Sequence, residues 1–163
     1  MKKIESYLVN LPEITRFHDQ FLKLFNEAKG SKSKHQAWKG GYRDHLEQCL
    51  DVASLLYNNY SWNFPFESVV KVLYFHDIEK MWKYIEGLDD VGRMVEKHKS
   101  RFYQEMLPDE FGIQFNEEEL NALKYIHGEG DDYCEKRVMN ELAGLCHACD
   151  TISARCFYDW RSE

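Results

Sequence analysis

Apolar positions along this chain recur at intervals of three and four, the spacing that lines one face of an α-helix. PEITRFHDQFLKLFNEAKG (12–30) opens on a proline suited to a first helical turn and runs to Gly30. SKSKHQAWKGG (31–41) is polar and breaks the pattern, which reads as a loop. In YRDHLEQCLDVASLLY (42–57) the stripe is His45, Cys49, Val52 and Leu56, and in FESVVKVLYFHDIEK (66–80) it is Val69, Leu73, His76 and Lys80. DDVGRMVEKHKSRFYQEML (89–107) has acidic residues in its first turn and Pro108 just past its end. NEEEL (116–120) predicts a helix start, with Asn116 capping and Glu119 answering three residues later. The helix it opens carries Leu120, Leu123 and His127 on one face, with Glu117 to Glu119 in solvent. The last segment, EKRVMNELAGLCHACDTISARCFYDW (135–160), aligns Ala143, Cys146, Asp150 and Phe157. Strand alternation is not evident. The pattern predicts an all-α, single-domain bundle over 1–163 with about six main helices around one polar site.

Composition narrows this reading. A chain of 163 residues suits one domain with a true core. With 44% hydrophobic and 30% charged residues it reads as globular and soluble, and no apolar run approaches the ~18 residues of a membrane span. The start, MKKIESYLVNLPEI, is soon broken by Glu5, Asn10, Pro12 and Glu13, unlike a secretory signal. Five cysteines show no disulfide spacing, so a reducing, cytoplasmic setting is expected. A net charge of −7 argues against broad binding to nucleic acid or anionic membrane. A small anionic substrate would need a metal or a few local cations.

The apolar stripes carry the candidate chemistry. His45, the His76–Asp77 pair, His127 and Asp150 fall where core residues should be, and His98 falls on the 89–107 helix. A buried ionised carboxylate is normally paired, metal-bound or solvated, and helix bundles build metal sites from facing side chains. Imidazole with carboxylate suits Mn, Fe, Co, Ni or Zn better than Mg. Cys146 and Cys149 have zinc-ligand spacing but no second pair, and read as core. His147, off the Asp150 face, and His18 read as structural. YSWNFPF (60–66) is a candidate rim loop.

The order His45, His76–Asp77, Asp150 resembles the HD-domain superfamily of metal-dependent phosphohydrolases. HQAWKGGYRDHLEQCLDVA resembles its opening, with a glycine pair shortly before a helical histidine. VLYFHDIEK resembles its second motif, with Lys80 three positions after the Asp. LCHACDTISAR resembles its closing motif. Together these span 35–155. MVEKHKSRFYQEML and ALKYIHGEG resemble the extra histidine segments of its two-metal subfamilies, although His127 is followed by Gly128 where the cyclic-dinucleotide phosphodiesterases carry a second histidine.

The resemblance implies one or two divalent ions. His45, His76, Asp77 and Asp150 would hold the first, and Asp77, His98 and His127 the second. It implies a hydrolase acting on a nucleotide or related small phosphate ester through a metal-activated water, and it allows a homo-oligomer. Lys80 would contact phosphate, with Arg43 a weaker candidate. His35 would act as a general acid or position the substrate, and Trp38 or Tyr42 would stack on a base. Two other readings stand beside this one. The same ligand order is similar to the mixed-valent di-iron oxygenases of that superfamily, and a non-catalytic helical module with a structural metal would also explain the ligands.

Overall fold

The computed structural model describes residues 1–161, and every regular element among them is helical. In chain order these are α1 (Glu5–Leu8), α2 (Pro12–Glu27), α3 (Gly41–Asn59), α4 (Phe66–Phe75), α5 (Lys80–Lys83), α6 (Asp89–Lys97), α7 (Lys99–Arg101), a π-helical stretch (Phe102–Met106), α8 (Leu107–Phe111), α9 (Glu117–Tyr125), a 3₁₀ turn (Gly130–Asp132) and α10 (Glu141–Cys156). None is long and apolar enough to cross a membrane.

α4 is apolar almost all round and lies in the interior, packed by α3, α9 and α10; α10 also packs on α3 and α9, and α2 on α3. Phe17, Phe25, Tyr42, Tyr74 and Phe75 fill the space between α2, α3 and α4, with Phe25 stacked on Tyr74 at 6.0 Å and Phe17 edge-on to Phe75 at 5.5 Å. Burying each such ring contributes about 1.5–3 kcal/mol. Tyr42 is therefore a core residue rather than a stacking platform, its hydroxyl donating to Tyr74 O. His18 is also buried, bonded to the Tyr74 hydroxyl.

The capping box at Asn116 forms as expected: Asn116 Oδ1 accepts from Glu119 N at 2.9 Å, and Glu119 Oε2 accepts from Asn116 N at 3.0 Å. Glu119 itself is buried, not solvated. Ser68 Oγ and Lys71 Nζ donate to its two oxygens at 2.7 and 2.6 Å, which ties α9 to α4. α10 starts at Glu141 rather than Glu135, because Asn140 Oδ1 caps it by accepting from Ala143 N.

Two other boundaries differ from the periodicity. α4 ends at Phe75, so His76–Glu79 form a turn before α5, and α9 ends two residues before His127. The expected 89–107 helix breaks at His98 (φ −119°, ψ 34°), then resumes through the π stretch and past Pro108. In that wide turn Leu107 N–H bonds back to Phe102 O, a register that already lacks some i→i−4 bonds, so a missing proline N–H adds little cost.

The 28–40 segment has no regular structure, yet it is organised around a fully buried glutamine. Gln36 Nε2 faces Gln48 Oε1 at 2.8 Å and the carbonyls of Ser153 and Phe157, each at 3.1 Å. Its backbone N–H donates to Tyr158 O, and its carbonyl accepts from Gly30 N. This close approach needs glycine at 41, where a Cβ would stand 1.9 Å from Gln36 O. Gly41→Ala is accordingly expected to lower stability by at least ~2 kcal/mol in urea unfolding. Gly144→Ala, whose Cβ meets only Met139 Sδ at 4.0 Å, should raise it by about 0.5–1 kcal/mol. Equal effects would mean that the Gln36 approach constrains nothing.

Candidate metal centre

α3, the turn after α4, and α10 bring His45, His76, Asp77 and Asp150 together, with one donor atom from each inside a 4.8 Å span. His45 Nε2 lies 3.2 Å from Asp150 Oδ1, 3.4 Å from His76 Nε2 and 3.9 Å from Asp77 Oδ2. His76 Nε2 lies 3.3 Å from Asp77 Oδ2 and 3.5 Å from Asp150 Oδ1. Donors ~2.0–2.2 Å from one ion stand roughly 3–3.5 Å apart, so this set is close to the spacing a single divalent ion requires.

The imidazoles are aimed by their other nitrogens. His76 Nδ1–H donates to Leu73 O at 2.7 Å. For His45 the partner is Ser153 Oγ, 2.9 Å from Nδ1. Ser153 gives its own proton to Gln48 Oε1 at 2.8 Å, so its oxygen accepts from His45 Nδ1–H. Both Nε2 atoms therefore face the cluster, the support that metal-binding histidines require. His45, His76, Asp77 and Asp150 fit a metal and could hold one.

Charge is balanced within the same volume. Burial pushes His45 down to about 4, so it is neutral. Burial opposes protonation of His76 too, but Asp77 and Asp150 outweigh it and raise the group to about 10. Asp77 and Asp150 titrate well below the usual carboxylate range; Lys80 and His76 overcome the burial of the first, and His127, His45 and His76 that of the second. Lys80, itself buried, lies 2.5 Å from Asp77 Oδ2.

Of the residues singled out from sequence, His127 reaches the cluster. Its Nε2 is 3.3 Å from Asp77 Oδ1 and its Nδ1 3.4 Å from Asp150 Oδ2, and half of its ring faces solvent. His98 does not: it is exposed and lines a small surface cleft with Met94, Arg101 and Met106, because the break after α6 turns it away. Arg43 is committed elsewhere, to Glu5, Glu47 and Asn26 at 2.7–3.0 Å. Trp38 Nε1 donates to Asp44, and Arg161 lies over its ring. Tyr60 and Trp62 border a separate groove against Gly144 and Leu145.

His35 is well placed. Its ring is 5.4 Å from that of His45, and its Nδ1 bonds Gln36 Oε1 at 2.6 Å. Burial, then Lys80, lower its pKa. His35, His127, His147 and Asp150 line a cavity of about 870 Å³ with Lys34 and Arg155 at its wall. His147 was set off the Asp150 face, but three residues apart on α10 the two share a face and line the same cavity; its Nδ1 bonds Ile126 O at 2.5 Å. Ser153 is the other omission. It lies one helical turn beyond Asp150, and a hydroxyl sharing a face with a ligand was the available signal.

No family model, curated protein or solved structure matches this chain.

One ion per chain is expected by titration calorimetry with Mn²⁺ or Co²⁺. Below pH ~10 an incoming ion must displace the His76 proton, so affinity should rise about tenfold per pH unit between roughly pH 6 and 9. His45→Ala or Asp150→Asn should weaken binding at least ~100-fold, and His98→Ala should leave it unchanged. Two ions, the second lost in His98→Ala, would show that His98 is a ligand.

Proposed function

We propose that this protein is a metal-dependent phosphohydrolase of the HD-domain type, cleaving a nucleotide or related small phosphate ester. The observation that carries this reading is the junction of the four-ligand cluster with a cavity walled by imidazoles and cations in a protein of net charge −7. An acidic surface would repel an anion; this cavity would hold one.

His45, His76, Asp77 and Asp150 would hold a divalent ion, which would supply a water of lowered pKa and positive charge for a phosphoryl oxygen. The chain's own groups supply the rest. Lys80 Nζ, beside Asp77, donates to a phosphoryl oxygen and offsets charge as it grows there. His127 spans Asp77 and Asp150 and holds both carboxylates in place. His35 donates Nδ1–H to Gln36, which leaves its Nε2 lone pair free to accept a proton from the attacking water and pass it to the departing oxygen. Its lowered pKa keeps it neutral, and therefore basic, near pH 7. The oxygenase reading needs a second ion that draws on His98, whose side chain lies elsewhere; the hydrolase reading needs only the four clustered ligands.

The test is incubation of Mn²⁺-loaded protein with nucleotides, cyclic nucleotides, short oligonucleotides and simple phosphate esters, with products resolved by chromatography. Hydrolysis should be abolished in Asp77→Ala and reduced about 10²–10³-fold in Lys80→Ala. No hydrolysis of any ester would overturn the reading, and oxygen uptake by iron-loaded protein would replace it with the oxygenase.

A further inference from the structure

His127 belongs to two cavities. On one side lies the imidazole- and cation-lined cavity of the cluster. On the other lies a second cavity of about 480 Å³, between α9 and the helical run from Lys99 to Gln104. Both meet at the same ring, whose two nitrogens contact Asp77 and Asp150. A molecule with its phosphate at the cluster therefore has two directions in which to extend.

The two cavities differ in what they can bind. In the first, Lys34, Thr151 and Arg155 have side chains with no hydrogen-bond or ion-pair partner among the described residues. In the second, the polar groups are already engaged. Tyr103 Oη donates to Phe75 O at 2.8 Å. Asn121 Nδ2 donates to Val138 O and its Oδ1 accepts from Asn140 N. Lys99 is held by His76 O and Glu79, Lys124 by Tyr125 and Asp132, and Gln104 by Ser100 Oγ. What remains to meet a ligand is mainly Leu120, Leu123, the Tyr103 ring and aliphatic stems, with Gln104 Oε1 and the Ser100 hydroxyl proton the polar exceptions. Such a wall offers few free hydrogen-bonding groups, and it favours apolar surface.

We infer that the substrate is an amphiphilic phosphate ester, its anion held at the cluster and an uncharged alkyl or aryl group seated in the cavity lined by Leu120, Leu123 and Tyr103. This rests on the hydrolase reading for the chemistry at the cluster, but the second cavity is tested by binding alone. This cavity borders the first site at His127, and its volume lies within the range of ligand pockets. The specificity that follows is for the size and apolarity of the ester group, with no demand for a base edge.

The experiment titrates Mn²⁺-loaded protein with methyl-, butyl-, hexyl- and octylphosphonate, which carry the anion but no cleavable ester. Each methylene that enters the cavity should tighten binding about three- to fourfold until the cavity is full. Gln104→Trp, a change at an exposed helical position, places a large ring in the cavity, so the octyl-to-methyl affinity ratio should collapse toward one. Leu123→Asn should reduce the same ratio, with thermal unfolding reporting whether that variant still folds. A chain-length dependence lost in Gln104→Trp supports the proposal even if no ester is hydrolysed, an outcome that would overturn the hydrolase reading alone. Affinity independent of chain length, or a dependence that persists in Gln104→Trp, would overturn the proposal.

Discussion

Two carboxylates and two imidazoles share one buried volume, and the rest of the protein is arranged around the need to neutralise it. Asp77 and Asp150 both approach His45 and His76, so without nearby positive charge their mutual repulsion and desolvation would be severe. Lys80 and the proton on His76 meet that need in the chain alone, and the half-exposed His127 lies against both carboxylates. A divalent ion held there would meet it with fewer groups. The cluster is thus an electrostatic demand as much as a set of ligands, and helices α3, α4 and α10 must be held in register for it to be satisfied.

That register depends on hydrogen bonds as well as apolar packing. Ser153 sits between His45 and Gln48, and Gln48 links to Gln36 and the Trp160 carbonyl. The irregular 28–40 segment is consequently fixed where it meets the site, which places His35 at the cavity without a helix to carry it. A left-handed backbone at Gln36 (φ 43°) costs about 1–2 kcal/mol, offset by the buried bonds it permits.

Much of this was legible in the sequence, and the failures have identifiable causes. His45 and Asp150 were readable because each sits inside a helix whose apolar stripe is regular. The Asn116 cap was readable because capping is local. The turn at His76–Asp77 was not, since FESVVKVLYFHDIEKMW contains no glycine or proline to mark the end of α4. His98 follows Met94 and Val95 much as a core-facing residue would, and only the break after α6 directs it outward. Arg43 beside His45 looked available for substrate, but its partner Glu5 lies 38 positions earlier, a separation at which periodicity has nothing to say. Glu119 sits in an acidic run that reads as solvated, and its burial depends on Ser68 and Lys71 from α4.

The bond between His45 and Ser153 joins residues 108 positions apart. Contacts at that separation carry a large loop-closure cost and tend to form late. During synthesis, α3 and α4 leave the ribosome well before α10, and for that interval His45 and the His76–Asp77 pair have neither the Asp150 carboxylate nor the serine that orients the imidazole. A nascent chain can thus begin to collapse around its aromatic residues while it still has only part of a chelating site. The four donors stand together only in a chain whose last helix has docked.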